Sequence, residues 1–317
     1  MAFNTTSIYS STIDNNISSS DTRGLPSLLI GFLSLQQIVF VVACSGNLFV
    51  ICVVLRFMNL KDNSNVFVLN LAIADFFTGI SSGVQNFFVF YRHLNLNIGT
   101  CLLRFQIVGS MTVASQVTVF LLSVDRYIAI CHHDLYKKIL TKKLSFIIVT
   151  LPWIICFSIS LPTFLGWNNW GTGIRCSYSL VFPSAYFWTT ALTVCLLNFF
   201  SCFAHLLIFI QIRKFHKRVK PLMQLGNDDK KMQKNIKSAK VMLFITIAFT
   251  VCWIPYMTFP FAYANGYVKN TNLKEASSWL VFIGMLNSVI NPFIYAWYKQ
   301  DFRRACKKAC KCCYLNL

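Results

Sequence analysis

Charge is what this chain has least of. Only 12% of its 317 residues are Asp, Glu, Lys or Arg, about half the share in a typical soluble domain. The shortage is one-sided, with 10 acidic residues against 29 basic ones. Such a composition excludes an ordinary water-soluble globule. The parts of an enzyme are missing too. There is no nucleophile–base set, no metal-ligand spacing and no glycine-rich phosphate loop in a fitting context. No internal repeat is seen, which argues against the repeat-built halves of many transporters. No cleavable signal peptide is expected, and the first apolar stretch is expected to act as the export signal.

What is present is apolar length. Hydrophobic residues make up 56% of the chain, and the mean hydropathy is +0.56. Crossing the hydrocarbon core takes about 20 mostly apolar residues. Seven stretches qualify, at 28–56, 66–90, 102–130, 144–165, 185–212, 241–263 and 279–297. Most exceed the minimum, so tilt or extension beyond the bilayer is expected. The fold class is therefore an all-α membrane protein, a seven-transmembrane helix bundle over residues 28–298. Residues 1–27 read as an extracellular, glycosylated tail. Residues 299–317 read as a short amphipathic helix on the membrane surface and a palmitoylated cytoplasmic tail.

The surplus of positive charge fixes the topology. Six of the 29 basic residues (Arg23, Arg92, Arg104, Arg175, Lys269 and Lys274) fall on one side, and 23 fall on the other. Cytoplasmic loops carry such an excess, so the N-terminus is placed outside the plasma membrane. The same charge could serve nucleic acid, but it sits beside membrane spans and needs no such partner. Asn4 and Asn16 begin glycosylation triplets that are usable on an exported tail.

Of the 13 cysteines, only Cys101 and Cys176 face the oxidising side. They pair with each other or stay free, and exported thiols usually pair. Cys306, Cys310, Cys312 and Cys313 crowd the tail behind a basic amphipathic stretch. That setting favours S-palmitoylation; metal binding is the competing reading. Around them, Arg303, Arg304, Lys307 and Lys308 are expected to meet anionic lipid headgroups, with Phe302 facing lipid.

Each apolar stretch also holds a polar or kinking residue, which is costly in lipid and therefore a functional signal. Span one has Gly46-Asn47 and span two has Leu71-Ala72-Ile73-Ala74-Asp75. Span three ends in Asp125-Arg126-Tyr127, and span four carries Trp153. Span six has Phe249 and Cys252-Trp253-Ile254-Pro255. Span seven ends in Asn291-Pro292-Phe293-Ile294-Tyr295. Over residues 25–313 the chain resembles the rhodopsin-like (class A) G-protein-coupled receptors. The resemblance implies an extracellular small-molecule ligand and a heterotrimeric G protein as partners, with arrestin and receptor kinases as further ones. It implies no cofactor beyond an allosteric sodium ion.

That ion would be held by Asp75, Ser115, Asn287, Ser288 and Asn291. A lone carboxylate at mid-membrane must be neutralised or paired, and hard cations take such oxygen ligands. A protonated Asp75 in a hydrogen-bond network is the competing reading. The resemblance makes Arg126 a switch that Asp125 holds at rest. Pro255 and Pro292 with Tyr295 become its hinges, and Trp253 the toggle beneath the ligand. Proline interrupts the helical hydrogen-bond ladder and kinks it.

Several departures are expected to matter. Asn235 stands where the family has an acid at the foot of span six, so the usual resting lock is not expected and basal activity is. Span five lacks the family's proline, and Phe209 falls where its tyrosine is expected. Asp134 replaces an apolar residue in the second inner loop. In the loop 213–240, Gly226-Asn227-Asp228-Asp229 reads as the turn.

The ligand-binding residues implied are Val108, Thr112, Tyr178, Trp253, Tyr256, Met257 and Met285. Amine receptors carry an aspartate at the position of Val108, and opsins carry a lysine at that of Met285. Val108, Thr112, Pro162 and Leu165-Gly166-Trp167-Asn168-Asn169 look most like adenosine receptors. Tyr178 stands where those receptors stack an aromatic ring on adenine. Their polar grip is replaced by Pro260, Met285 and Gln36. Runner-up readings are an amine-like or orphan receptor, or a heptahelical protein that signals constitutively or scaffolds partners.

Overall fold

The computed structural model describes residues 27–315, apart from 61, 140, 173–175, 177, 220–225 and 265–272. Asn4, Asn16 and the tail ahead of residue 27 lie outside the described residues. So do the side chains of Cys312 and Cys313.

Without water, a lipid-embedded backbone must satisfy its own polar groups, and a helix does so within one segment. The apolar stretches accordingly form α1 (Ser27–Phe57), α2 (Asn63–Phe90), α3 (Ile98–Cys131), α8 (Ser184–Val219), α9 (Asn227–Ala264) and α10 (Leu273–Tyr298). Span four is built in two pieces, α5 (Lys142–Ile148) and α6 (Leu151–Phe164). Short helices α4 (His133–Ile139) and α7 (Tyr178–Val181) sit in the loops, and α11 (Gln300–Leu315) follows span seven. Seven of these units are long and apolar enough to cross a membrane. There is no strand among the described residues.

Local chemistry sets the ends. Asp62 caps α2 by accepting from the Ser64 amide at 3.2 Å. Asn97 caps α3 by accepting from the Gly99 amide at 2.8 Å. Both satisfy amides that have no partner inside their own helix. Hydroxyls inside the spans turn back onto their own helices, as Thr118 does to Ala114 and Thr246 to Met242.

Asparagines tie the spans together. Asn47 donates to the Ala43 carbonyl at 2.9 Å and to Ser288 of span seven at 2.8 Å. Asn70 donates to Thr118 at 2.8 Å and accepts from the Trp153 indole at 2.9 Å, joining spans two, three and four. Around these bonds lies an inner apolar cluster including Phe67, Leu71, Leu122, Met242 and Tyr295, and a middle one including Val113, Phe249 and Trp253.

Two glycines permit close approach. A Cβ on Gly46 would meet Pro292 Cγ at 3.2 Å, and one on Gly284 would meet the Trp253 ring at 2.7 Å. Helix α11 folds back so that Phe302 enters the inner cluster, 1% exposed, with its ring 6.1 Å from Tyr295. The expectation that Phe302 faces lipid is therefore corrected. It is the ring by which the surface helix anchors to the bundle.

Candidate functional site

The polar residues of the spans gather into three layers. The middle layer centres on Asp75, which is fully buried. Ser288 donates to its Oδ1 at 2.8 Å, Ser115 to the same oxygen at 3.4 Å, and Asn291 to Oδ2 at 2.6 Å. Spans two, three and seven thus meet on one carboxylate. Asn287 is buried one helical turn before Asn291, and the Oδ1 atoms of both lack a hydrogen-bond partner among the described residues. Buried acceptors without partners are rare. The carboxylate, the Ser115 and Ser288 hydroxyls and the Asn291 amide oxygen make a donor set that fits a small hard cation.

The layer at the strongly basic end of the bundle centres on Arg126, 4% exposed. It pairs with Asp125 through Nη2, and its Nε donates to Asp125 Oδ2 at 2.8 Å. Tyr136 of α4 completes a triad that the sequence did not reveal. Its hydroxyl donates to Asp125 Oδ1 at 3.1 Å and accepts from Arg126 Nη2 at 3.3 Å. Burial, and then the charge of Asp125, pushes that hydroxyl up to about 12. It therefore stays protonated and able to donate. Tyr127 bonds His132 at 3.2 Å, and Asp134 is exposed at the start of α4.

Span six is tied to its neighbours even without an acid at Asn235. Asn235 Nδ2 donates to the Ala129 carbonyl of span three at 3.4 Å. Lys234 reaches Asp62 at 3.6 Å and Asp301 of α11 at 3.4 Å. These contacts tie the foot of span six to the start of α2 and to α11; among the described residues Arg126 bonds Asp125 and Tyr136 and not span six. Next to these contacts, Lys299 is 6% exposed and donates to Ser64 Oγ at 3.2 Å. Burial pulls its ammonium down to about 8.

Span five and the start of span six add two findings. Phe209, which falls where the family's tyrosine is expected, faces outward. It is 49% exposed, with the Arg213 guanidinium 4.4 Å over its ring. The inward polar group is His205, at 3.2 Å from Ser123 and 3.1 Å from Thr246. A histidine without a carboxylate neighbour gave no signal in the sequence. Asn227-Asp228-Asp229 do not form the expected turn, because they begin α9. The connection before them lies outside the described residues.

Both motif prolines lie inside helices, Pro292 within α10 and Pro255 within α9. Tyr295 is fully buried in the inner cluster. Trp253 packs on Gly284, with Tyr256 at 6.1 Å and Phe249 at 6.2 Å between ring centroids.

The outer layer is aromatic and amidic. Cys101 and Cys176 are disulfide-bonded, with Cα atoms 5.8 Å apart. The bond brings Tyr178 onto span three, 5.7 Å from Phe105 and 4.9 Å from Phe182. Beneath it, Tyr186 donates to Gln106 and Gln106 to Thr163, each at 2.9 Å. Val108, Tyr256 and Met257 pack on the middle cluster, and Met285 is fully buried. Thr112 commits its hydroxyl to the Val108 carbonyl at 2.9 Å. Arg104 stands between spans two and three. Its Nε donates to Gln85 at 2.8 Å and its Nη1 to Asn95 at 3.1 Å.

Seven membrane-length helices carry these layers. The family model described as 7 transmembrane receptor (rhodopsin family) matches residues 46–295. That match spans every layer, from Asn47 to Tyr295, and the chain belongs to the rhodopsin family of seven-transmembrane receptors.

Proposed function

We propose that this chain relays an extracellular, adenosine-like small molecule to a heterotrimeric G protein. The family is one of multi-pass membrane receptors and not of enzymes. The observation that carries the finer reading is the joint arrangement of a buried carboxylate cluster at mid-membrane and a buried Arg126 at the cytoplasmic end. Neither serves a plain structural bundle, because charge in the membrane interior is costly.

Asp75, Ser115, Ser288, Asn287 and Asn291 would hold a sodium ion, whose charge would neutralise Asp75 without a proton. Asp125 and Tyr136 hold Arg126 in the resting state, and Lys234 holds the foot of span six. Outward movement of span six would part Lys234 from Asp62 and Asp301 and open Arg126 to the G protein. Arrestin and receptor kinases would use the same face. Palmitates on Cys306, Cys310, Cys312 and Cys313 would keep α11 on the lipid surface, and glycans on Asn4 and Asn16 would mark the outer tail.

Tyr178 supports the ligand class. Its ring is placed over span three by the disulfide and is backed by Phe105 and Phe182. Stacking on such a ring contributes about 1–3 kcal/mol per base in nucleic-acid complexes. The test is cyclic AMP in cells expressing the chain, with and without adenosine, beside Tyr178→Ala. An adenosine response that Tyr178→Ala removes supports the reading. Silence to adenosine at confirmed surface expression, with a coupling-independent readout, overturns the adenosine-like part.

A further inference from the structure

We infer that Arg104 is the counter-ion for a negatively charged group on the ligand, so that the outer site takes a planar ring bearing a carboxylate or phosphate. The inference rests on the stacking role of Tyr178 proposed above and names what that ring must carry.

Arg104 is half-buried near the outer end of span three. A buried or half-buried cation is normally paired, because an unpaired charge loses hydration without return. Its partners here are neutral. Nε bonds the Gln85 amide oxygen, Nη1 bonds the Asn95 amide oxygen, and the Arg104 carbonyl accepts from Gln85 at 2.8 Å. The described carboxylate side chains are those of Asp62, Asp75, Asp125, Asp134, Asp229 and Asp301. All lie at mid-membrane or on the cytoplasmic side, so none of them can pair with it.

The guanidinium is nonetheless held in place. Its Cζ lies 5.6 Å over the Phe88 ring and 5.4 Å over the Phe105 ring. Two amides and two aromatic faces fix its plane, while Nη2 has no partner among the described residues. A guanidinium carries five N–H donors in a flat fork that matches carboxylate and phosphate. Three of the five make no bond among the described residues.

Placement links this cation to the shelf. Phe105 touches the Tyr178 ring at 5.7 Å between centroids, so one ring separates the charge from the stacking surface. The outer layer has lost the polar grip on a neutral base, and it offers a fixed positive charge instead. A ligand with a ring on Tyr178 and an anion on Arg104 uses both.

A structural role would be to pin the short turn Arg92–Leu96 through Asn95. Arg104→Gln separates the two roles, because glutamine keeps an amide donor and loses the charge. The measurement is the thermal shift of the purified full chain in detergent with adenosine, adenosine 5′-monophosphate or adenosine 5′-carboxylate. Wild type, Arg104→Gln, Arg104→Lys and Tyr178→Ala are compared.

The expected result is that the two anions bind at least about tenfold tighter than adenosine. Arg104→Gln removes that preference, and Arg104→Lys keeps part of it. A phosphate-only or carboxylate-only preference identifies which anion fits. Equal shifts for adenosine and both anions in wild type overturn the inference and leave the adenosine-like reading standing. So does an anion preference that survives Arg104→Gln. Anion binding that needs Arg104 but is unchanged in Tyr178→Ala keeps the cation site and sinks the stacking shelf. No shift with any of the three compounds overturns both.

Discussion

The two ends of the bundle treat polar groups in opposite ways. At mid-membrane and on the cytoplasmic side, most charged groups have a partner of matching chemistry: Arg126 with Asp125, Lys234 with Asp62 and Asp301, and Asp75 with three donors. At the other end, neutral amides bond one another, and Arg104 has only neutral partners among the described residues. The inner half is closed by ion pairs, those of Lys234 running between elements. The other half is joined by neutral amide bonds and aromatic contacts, and the proposed ligand site lies there.

The largest expected effect tests whether the outer half is a stable receptacle. Cys176→Ser opens a cross-link over 75 residues, which in the chain-entropy account stabilises by about 4 kcal/mol. Surface expression and melting temperature in detergent should both fall sharply. An unchanged melting temperature would mean that the aromatic contacts of Tyr178 hold the loop alone.

Next comes the border between the halves. Gly284→Ala places a methyl 2.7 Å from the Trp253 ring, closer than packed atoms tolerate. Forcing the indole aside should cost about 1–3 kcal/mol of stability. It should also shift basal signalling, since Trp253 leans on Tyr256 above and Phe249 below. Melting together with basal G-protein turnover measures both; a silent variant would show that Trp253 does not lean on span seven.

Lys299 probes the inner half through pH. Its ammonium lies at about 8 against an ordinary 10.5, because burial disfavours the charged form. The penalty is therefore complete below pH 8 and fades as pH rises towards 10.5. Lys299→Met should raise stability by roughly 1–2 kcal/mol at pH 7 once the lost bond to Ser64 is offset. The gain should shrink steadily between pH 8 and 10.5. A gain independent of pH would place its origin in packing.

The smallest effect concerns Lys234. Its side chain is 64% exposed, and such pairs contribute about 0.2–1 kcal/mol. Lys234→Ala should raise basal signalling roughly twofold, read by nucleotide exchange in membranes. The double variant Asp62→Asn with Asp301→Asn should match it, and Lys234→Ala should then add nothing further.

The inner half was the legible half. Asp75, Arg126, Pro255 and Pro292 break the apolar grain of their spans, so each announces itself in a sequence. The structure brings Asp75 together with Ser115, Ser288 and Asn291, as the motifs imply. What escaped notice was relational. Tyr136, Lys234 and His205 are ordinary residues on their own elements, and only helix packing brings them to Asp125, Asp301 and Thr246. The surroundings of Phe302 and Phe209 are illegible for one shared reason. A phenyl ring suits lipid and core equally, so only helix rotation tells which it meets. Gly284 carried no signal, because the need for it lies in a ring on another span. The outer half was less legible again, since its departures remove known groups without naming their replacements.

The proposed role of Arg126, held by Asp125 and Tyr136 as a switch for a G protein, makes a sharp demand. It is tested most directly by basal and stimulated nucleotide exchange across the main G-protein classes, in Asp125→Asn, Tyr136→Phe and Arg126→Ala, at matched surface expression. The account predicts that Asp125→Asn raises basal exchange most, that Tyr136→Phe raises it less, and that Arg126→Ala abolishes it in at least one class. Exchange equal to wild type in all three variants, in every class, would contradict it.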